Sequence, residues 1–167
     1  MGLEPATPVK GHFIAGETLQ FGKVAVETIV TPHDGVDGVV FVVDDGKCRL
    51  GILTDLGHVF NGLEDIIGSL DAVLLESNYD PEVLLGSPYP ERLKRRIEGI
   101  GGHISNFEAA ELLLAAASKR MKWACLAHLS QDNNAPDLAL KTHRRVLGKR
   151  LPLYVAGRYG ATDVLKV

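Results

Sequence analysis

The sequence predicts an α/β fold in which a mixed sheet is covered by helices, and three observations carry that expectation. Between residues 19 and 55 apolar runs rich in Val, Ile, Leu and Phe are broken by Gly and Asp, the pattern of short strands and tight turns. Between residues 71 and 156 the apolar runs stay short but longer helical stretches separate them, which is the signature of layered α/β structure. The 167 residues, 46% of them apolar, are enough for one core and exclude disordered, collagen-like and disulfide-scaffold classes. No repeat or linker divides the chain, so residues 1–167 are read as a single domain.

The segments LQFGKVAVETIV (19–30), GVVFVVDD (38–45) and KCRLGILTD (47–55) read as antiparallel strands. Asp44-Asp45-Gly46-Lys47 between the last two suits a tight turn, because Asp and Gly tolerate positive φ, so residues 38–54 form a hairpin. Further strands are expected at DAVLLES (71–77), KWACLAH (122–128) and RLPLYVA (150–156). A basic helix follows Pro88 and Pro90 at 91–99. The helix at 106–119 has capping-box spacing from Ser105 to Glu108 and strong Ala and Leu propensity. Another spans 135–147, with Asn134 as cap, Pro136 in the first turn, and Leu138, Leu140, Val146 and Leu147 as its apolar residues.

Lys and Arg number 18 against 21 Asp and Glu, a net charge of −3, which argues against coating nucleic acid or membrane by bulk charge. Contact with a strand must then come from local patches such as Arg92 with the run at 93–97, or Lys141, His143, Arg144, Arg145, Lys149 and Arg150; a solvated helix face explains either equally well. Cys48 and Cys125 each lie in an apolar run and read as buried thiols of a reducing compartment. The first residues lack signal-peptide form and no apolar stretch reaches membrane length, so the expectation is a soluble cytoplasmic protein.

The polar residues with most to say stand at the ends of apolar runs: Asp55, Glu76 and His128. His33, His58 and His103 lie in neighbouring loops, and imidazole with carboxylate suits zinc, manganese or iron. No single segment is a local metal motif, and ordinary loop polarity explains any one of them.

Five words read together go further: TPHDGVDGVVFVV, GILTDLGHV, DAVLLESNYDPEVLLGSPYPERLKRRI, GGHISNFEAAELL and ACLAHLSQDNN. In order and spacing, over about residues 16–155, they resemble the metallo-β-lactamase-fold hydrolases of the YycJ/WalJ type, relatives of ribonucleases J and Z. The resemblance implies that His33, Asp55 and His128 are metal ligands, with Asp55 bridging two ions. It implies that His103 faces the scissile phosphate, acting with Asp55 as catalytic residues. Glu76 and Asn78 would support the ligands from behind, while Ser105 and Asn106 would orient the His103 loop as well as cap a helix. The implied cofactor is a divalent metal, zinc or manganese, up to two ions; the implied activity is a phosphodiesterase, acting as a nuclease or on nucleotide phosphodiesters.

The chain also departs from the family. Its ligand-rich His-x-His-x-Asp-His word is absent and His12 is isolated. The resemblance therefore implies the carboxyl-terminal half of an αββα sandwich, with Met1 inside the loop that joins the halves. The expected partners are a separate amino-terminal half or a second copy, drawn to apolar strands left exposed at 38–43 and 48–53. The alternative function is a non-catalytic metallo-β-lactamase-like binding or partner domain.

Overall fold

The computed structural model describes residues 11–167, and the expectation attached to Met1 lies outside them. Seven strands form one mixed sheet in sequence order: β1 (Thr18–Phe21), β2 (Val24–Val30), β3 (Val39–Asp44), β4 (Arg49–Leu53), β5 (Ala72–Glu76), β6 (Trp123–Ala127) and β7 (Leu153–Val155). Strands β1 to β4 pair antiparallel, and β4 to β7 pair parallel. The stretch at 19–30 is two strands, because Gly22 takes a left-handed φ of 61° and turns the chain. The β3–β4 hairpin closes as its Asp residues dictate: Asp44 Oδ1 accepts from the Gly46 amide at 2.7 Å, and Asp45 Oδ1 accepts from Lys47 and Cys48.

Five helices cross between the strands: α1 (Leu63–Gly68), α2 (Pro81–Gly86), α3 (Glu91–Glu98), α4 (Asn106–Ala116) and α5 (Pro136–Leu147). With six residues each, α1 and α2 are too short to carry a periodic signal, and they were not expected. The capping box of α4 is present, with Glu108 N donating to Ser105 Oγ and the Glu108 carboxylate accepting from Ser105 N. Asn134 does not cap α5 as expected; the cap position is Ala135, without a side-chain bond. Asn134 is drawn instead to β5, donating to the carbonyls of Ser77 and Asn78, while its amide also pairs with Asn106.

The sheet has two unlike faces. Val40, Val42, Leu53, Val73, Leu75, Ala124 and Leu126 point to the helical side and are buried with Ile67, Leu112, Leu113 and Leu147. A fully buried Leu or Val stabilises by about 1.5–3 kcal/mol, so this face carries most of the fold. On the other face Ala72, Trp123 and Cys125 are buried against Ala156 and Leu165, and Trp123 Nε1 donates to the Lys166 carbonyl. Phe41, Val43, Leu50, Ile52 and Leu74 on that face remain half-buried. The strands at 38–43 and 48–53 are thus covered on the helical face and half-buried on the other, so the expected exposure is partial and confined to one face. Cys48 is half-exposed rather than buried, since it directly follows the hairpin turn; Cys125 is buried.

Ser77, Asn106 and Asn134 form a buried polar knot: Asn106 Oδ1 accepts from Ser77 Oγ at 2.6 Å and Asn134 Nδ2 at 2.8 Å. Ser105→Ala removes one cap and should lower unfolding free energy by about 1 kcal/mol. Asn106→Ala strands two buried partners and should cost about 2–3 kcal/mol. Urea denaturation midpoints rank the two, and equal losses would contradict this account of the knot.

Candidate metal centre

Parallel strands deliver their carboxyl ends to one edge of a sheet, where α/β folds place their sites. Asp55 follows β4, Glu76 ends β5, and His128 follows β6. Two loops approach the same edge. His33 arrives after β2, its Nδ1 bonded to the Gly102 carbonyl at 2.9 Å, and His103 lies just before α4. The glycine is required: a Cβ at Gly102 would stand 2.1 Å from the Ile97 carbonyl oxygen. Asp55 and His128 both adopt left-handed backbone, φ 57° and 54°, which is strained for non-glycine residues and turns their side chains sharply off the strand ends.

The result is a cup of 180 Å³ lined by His33, Asp34, Asp55, Arg96, His103 and His128. His33 Nε2 stands 3.6 Å from Asp55 Oδ1, and His128 Nδ1 stands 3.8 Å from the same oxygen. The imidazole of His103 sits between the other two, with ring centroids 5.0 Å from His33 and 5.2 Å from His128. Ligand-capable atoms of His33, Asp55 and His103 all lie within 4.8 Å of one another.

Behind the cup, Glu76 is fully buried and binds both remaining imidazoles through one oxygen. Oε1 lies 2.7 Å from His103 Nδ1 and 2.8 Å from His128 Nδ1, while Oε2 accepts from the Leu56 amide at 2.9 Å. Burial by itself would raise the Glu76 pKa, but the bonds from His103, His128 and Leu56 outweigh it and hold the carboxyl at about 2. The bond to Glu76 in turn raises the His128 pKa against burial, with the Arg158 charge opposing it. Glu76, His103 and His128 also lie close enough to form a second metal-binding group. Their 2.7–2.8 Å contacts, however, are hydrogen-bond distances to Nδ1 protons. Glu76 is better placed to fix the two tautomers and leave each Nε2 free, the usual part of a carboxylate behind metal-binding imidazole.

Known structures share this fold, and known sequences resemble this chain. The metallo-β-lactamase fold protein YhfI from Bacillus subtilis superposes with a TM-score of 0.64 at 17% identity, over 86% of this chain and 50% of that one. Zinc-bound PqqB from Methylobacterium extorquens gives 0.62 at 18% identity, over 90% and 54%, and the short form of human tRNase Z gives 0.55 at 16% identity, over 89% and 45%. In sequence, the exodeoxyribonuclease YycJ of Bacillus anthracis is 33% identical over 144 residues, 86% of this chain and 54% of the relative. The chain is a metallo-β-lactamase-fold protein related to the YycJ/WalJ exonucleases. The exodeoxyribonuclease WalJ of Streptococcus pneumoniae, strain D39, is 37% identical over 135 residues, 80% of this chain and 49% of the relative. No protein-family model matches. The chain spans about half the length of the curated relatives it matches.

Within this metallo-β-lactamase-fold chain, the remaining residues singled out from the sequence fall behind or beside the cup. Asn78 Nδ2 donates to the His128 carbonyl at 2.8 Å and so holds the strained turn. Ser105 and Asn106 hold the start of α4, two residues beyond His103, and do not line the cup. His58 turns away to the Ile100 carbonyl. The basic run at 93–97 is not a uniform patch, since Lys94 is buried against the Leu85 carbonyl and Arg96 pairs with Asp34 at 2.6 Å. The second basic stretch is divided as well: His143 is buried, with a pKa that burial lowers to about 4, and Arg144 bonds the carbonyls of Gly148 and Leu151. Asp34 and Arg96 were missed as cup residues because their contact spans 62 positions.

Glu76→Gln should destabilise the metal-free protein by about 1–3 kcal/mol, because an amide cannot accept from all three donors. Since the Glu76 pKa is depressed from 4.5 to about 2, its contribution is full above pH ~4.5 and fades as pH falls toward 2. Urea unfolding from pH 6 to pH 3 should show the wild type losing stability more steeply than the variant; parallel curves would contradict the assignment.

Proposed function

We propose that this chain carries the metal-binding edge of a divalent-metal-dependent phosphodiesterase acting on nucleic acid or nucleotide phosphodiesters, with zinc or manganese as the metal. The observation that supports it most is the convergence of His33, Asp55 and His103 in one cup, with Glu76 fixing His103 and His128 from behind. Two imidazoles and a carboxylate suit a borderline divalent ion. His33, Asp55 and His128 would hold metal, and Asp55, standing between the two histidines, would serve two ions.

Bound metal would supply Lewis-acid polarisation of the phosphoryl oxygen and a nucleophile at neutral pH. The residues do the rest. Asp55, 43% exposed, can accept the proton released as the nucleophile attacks phosphorus. His103, its Nδ1 bonded to Glu76, would turn Nε2 toward the phosphate, and only its doubly protonated form could donate there to the developing charge or the leaving oxygen. The products would be a phosphomonoester and an alcohol.

The cup opens beside the half-buried sheet face, and the chain spans about half of its relatives. Further ligands would come from an amino-terminal half or a second copy seated on that face. The same half-length match favours one competing reading, a metallo-β-lactamase-like partner domain without turnover. Among the described residues no helix is long and apolar enough to cross a membrane, and two unpaired thiols suit a cytoplasmic setting.

Calorimetric titration with zinc or manganese should show uptake that Asp55→Asn weakens at least about tenfold, while circular dichroism stays unchanged. Hydrolysis of bis-p-nitrophenyl phosphate should depend on the same metal and fall with the same variant. A folded chain that takes up neither metal would overturn the reading, and uptake without hydrolysis would favour the partner domain.

A further inference from the structure

One strand end at this edge has no part in the metal cup. β7 is followed by Ala156-Gly157-Arg158-Tyr159-Gly160, and this loop lies against the end of β6 and the residues after it: the Ala156 amide donates to the Leu126 carbonyl and Arg158 donates to the Leu129 carbonyl at 2.8 Å. Arg158 and His128 together line two cavities beside the cup. One measures 340 Å³ and reaches Asn78, Tyr89 and His103; the other measures 560 Å³ and reaches Gln131 and Tyr159. The cup, at 180 Å³, has room for ions and a phosphate, whereas cavities that bury an organic ligand run from about 300 Å³ upward.

Charge singles out Arg158 from the other cation at this site. Arg96, on the opposite lip, is neutralised by two bonds to Asp34 at 2.6 and 3.1 Å. Arg158 spends one N–H on a carbonyl, and among the described residues it forms no ion pair with a carboxylate. A guanidinium has five N–H donors in a fork that fits phosphate. Its neighbour Tyr159, which precedes Gly160, is 89% exposed, an aromatic ring left open to solvent. A cation and an aromatic ring side by side offer the two contacts that single strands use, charge for the phosphate and stacking for the base.

We propose that Arg158 and Tyr159 form the subsite for the nucleotide next to the scissile phosphate of a single-stranded polynucleotide. Arg158 pairs with the flanking phosphate and Tyr159 stacks on the base. Neither residue touches the reacting atoms, and together they select a strand over an isolated phosphate. The inference rests on the phosphodiesterase reading of the adjoining cup.

The test is fluorescence anisotropy with fluorescein-labelled pentathymidylate in EDTA, so that the readout is binding and not turnover. Arg158→Gln should weaken binding about tenfold at low salt and reduce the slope of log affinity against log salt by about 0.7, one phosphate contact on a single strand. Arg158→Lys should recover part of the affinity. Tyr159→Ala should weaken binding at least about fivefold and Tyr159→Phe should not. Lys119→Gln, exposed at the opposite end of the sheet, should change nothing. Thermal unfolding checks that each variant keeps its fold. Wild-type affinity in Arg158→Gln, no binding by the wild type, or competition by inorganic phosphate as strong as by unlabelled pentathymidylate would each overturn the proposal. If zinc uptake fails while these binding results hold, the metal reading falls and the subsite stands; intact uptake with an indifferent Arg158→Gln gives the reverse.

Discussion

A carboxylate with no exposure to solvent must be satisfied by what surrounds it, and at Glu76 that requirement organises the whole edge of the sheet. Its two oxygens bind the Leu56 amide, the His103 ring and the His128 ring. Three segments that are 20, 27 and 52 positions away in sequence are thereby held to the end of β5. Without these donors the buried charge would be costly by several kcal/mol; with them it is held ionised far below the ordinary carboxylate range. The same bonds stabilise local geometry that would otherwise be unfavourable. Asp55 and His128 sit in left-handed backbone, and each is adjacent to a bond that fixes it: Leu56 to Glu76, and the His128 carbonyl to Asn78.

The sheet beneath explains why the site lies where it does. One face is closed by helices into a buried apolar core. The other face holds a small cluster around Trp123 and a fringe of half-buried residues, with the C-terminal segment across part of it. Glu76 pairs with Ala127 at the end of this second face, directly behind the cup.

Much of this was legible in the sequence, and the exceptions have physical reasons. The hairpin, the capping box and the three strand-end residues Asp55, Glu76 and His128 are local signals, written in turn chemistry and in polarity after an apolar run. His33 and His103 were candidates alongside His58 until the five-word resemblance gave them roles, because their approach to the cup depends on contacts between distant loops. Asn134 misled because an Asn before a Pro-started helix is a good cap on local grounds, yet here a buried partner, Asn106, competes for its amide. Cys48 misled because an apolar run was read through a turn. The Arg96–Asp34 pair could not be seen, since it depends on contact between segments 62 positions apart. The strand-end rule that found Asp55 and His128 would also have found Arg158 had it been applied to the last strand.

The claim on which the rest depends is that Glu76 fixes the tautomers of two histidines and leaves their Nε2 atoms outward. Long-range proton–nitrogen NMR correlation on nitrogen-labelled, metal-free protein at pH 8 reads this directly. The account predicts that His103 and His128 both carry their proton on Nδ1, with unprotonated Nε2 resonances, and that Glu76→Ala abolishes this preference. Rings protonated on Nε2 in the wild type, or a tautomer mixture indifferent to Glu76, would contradict it.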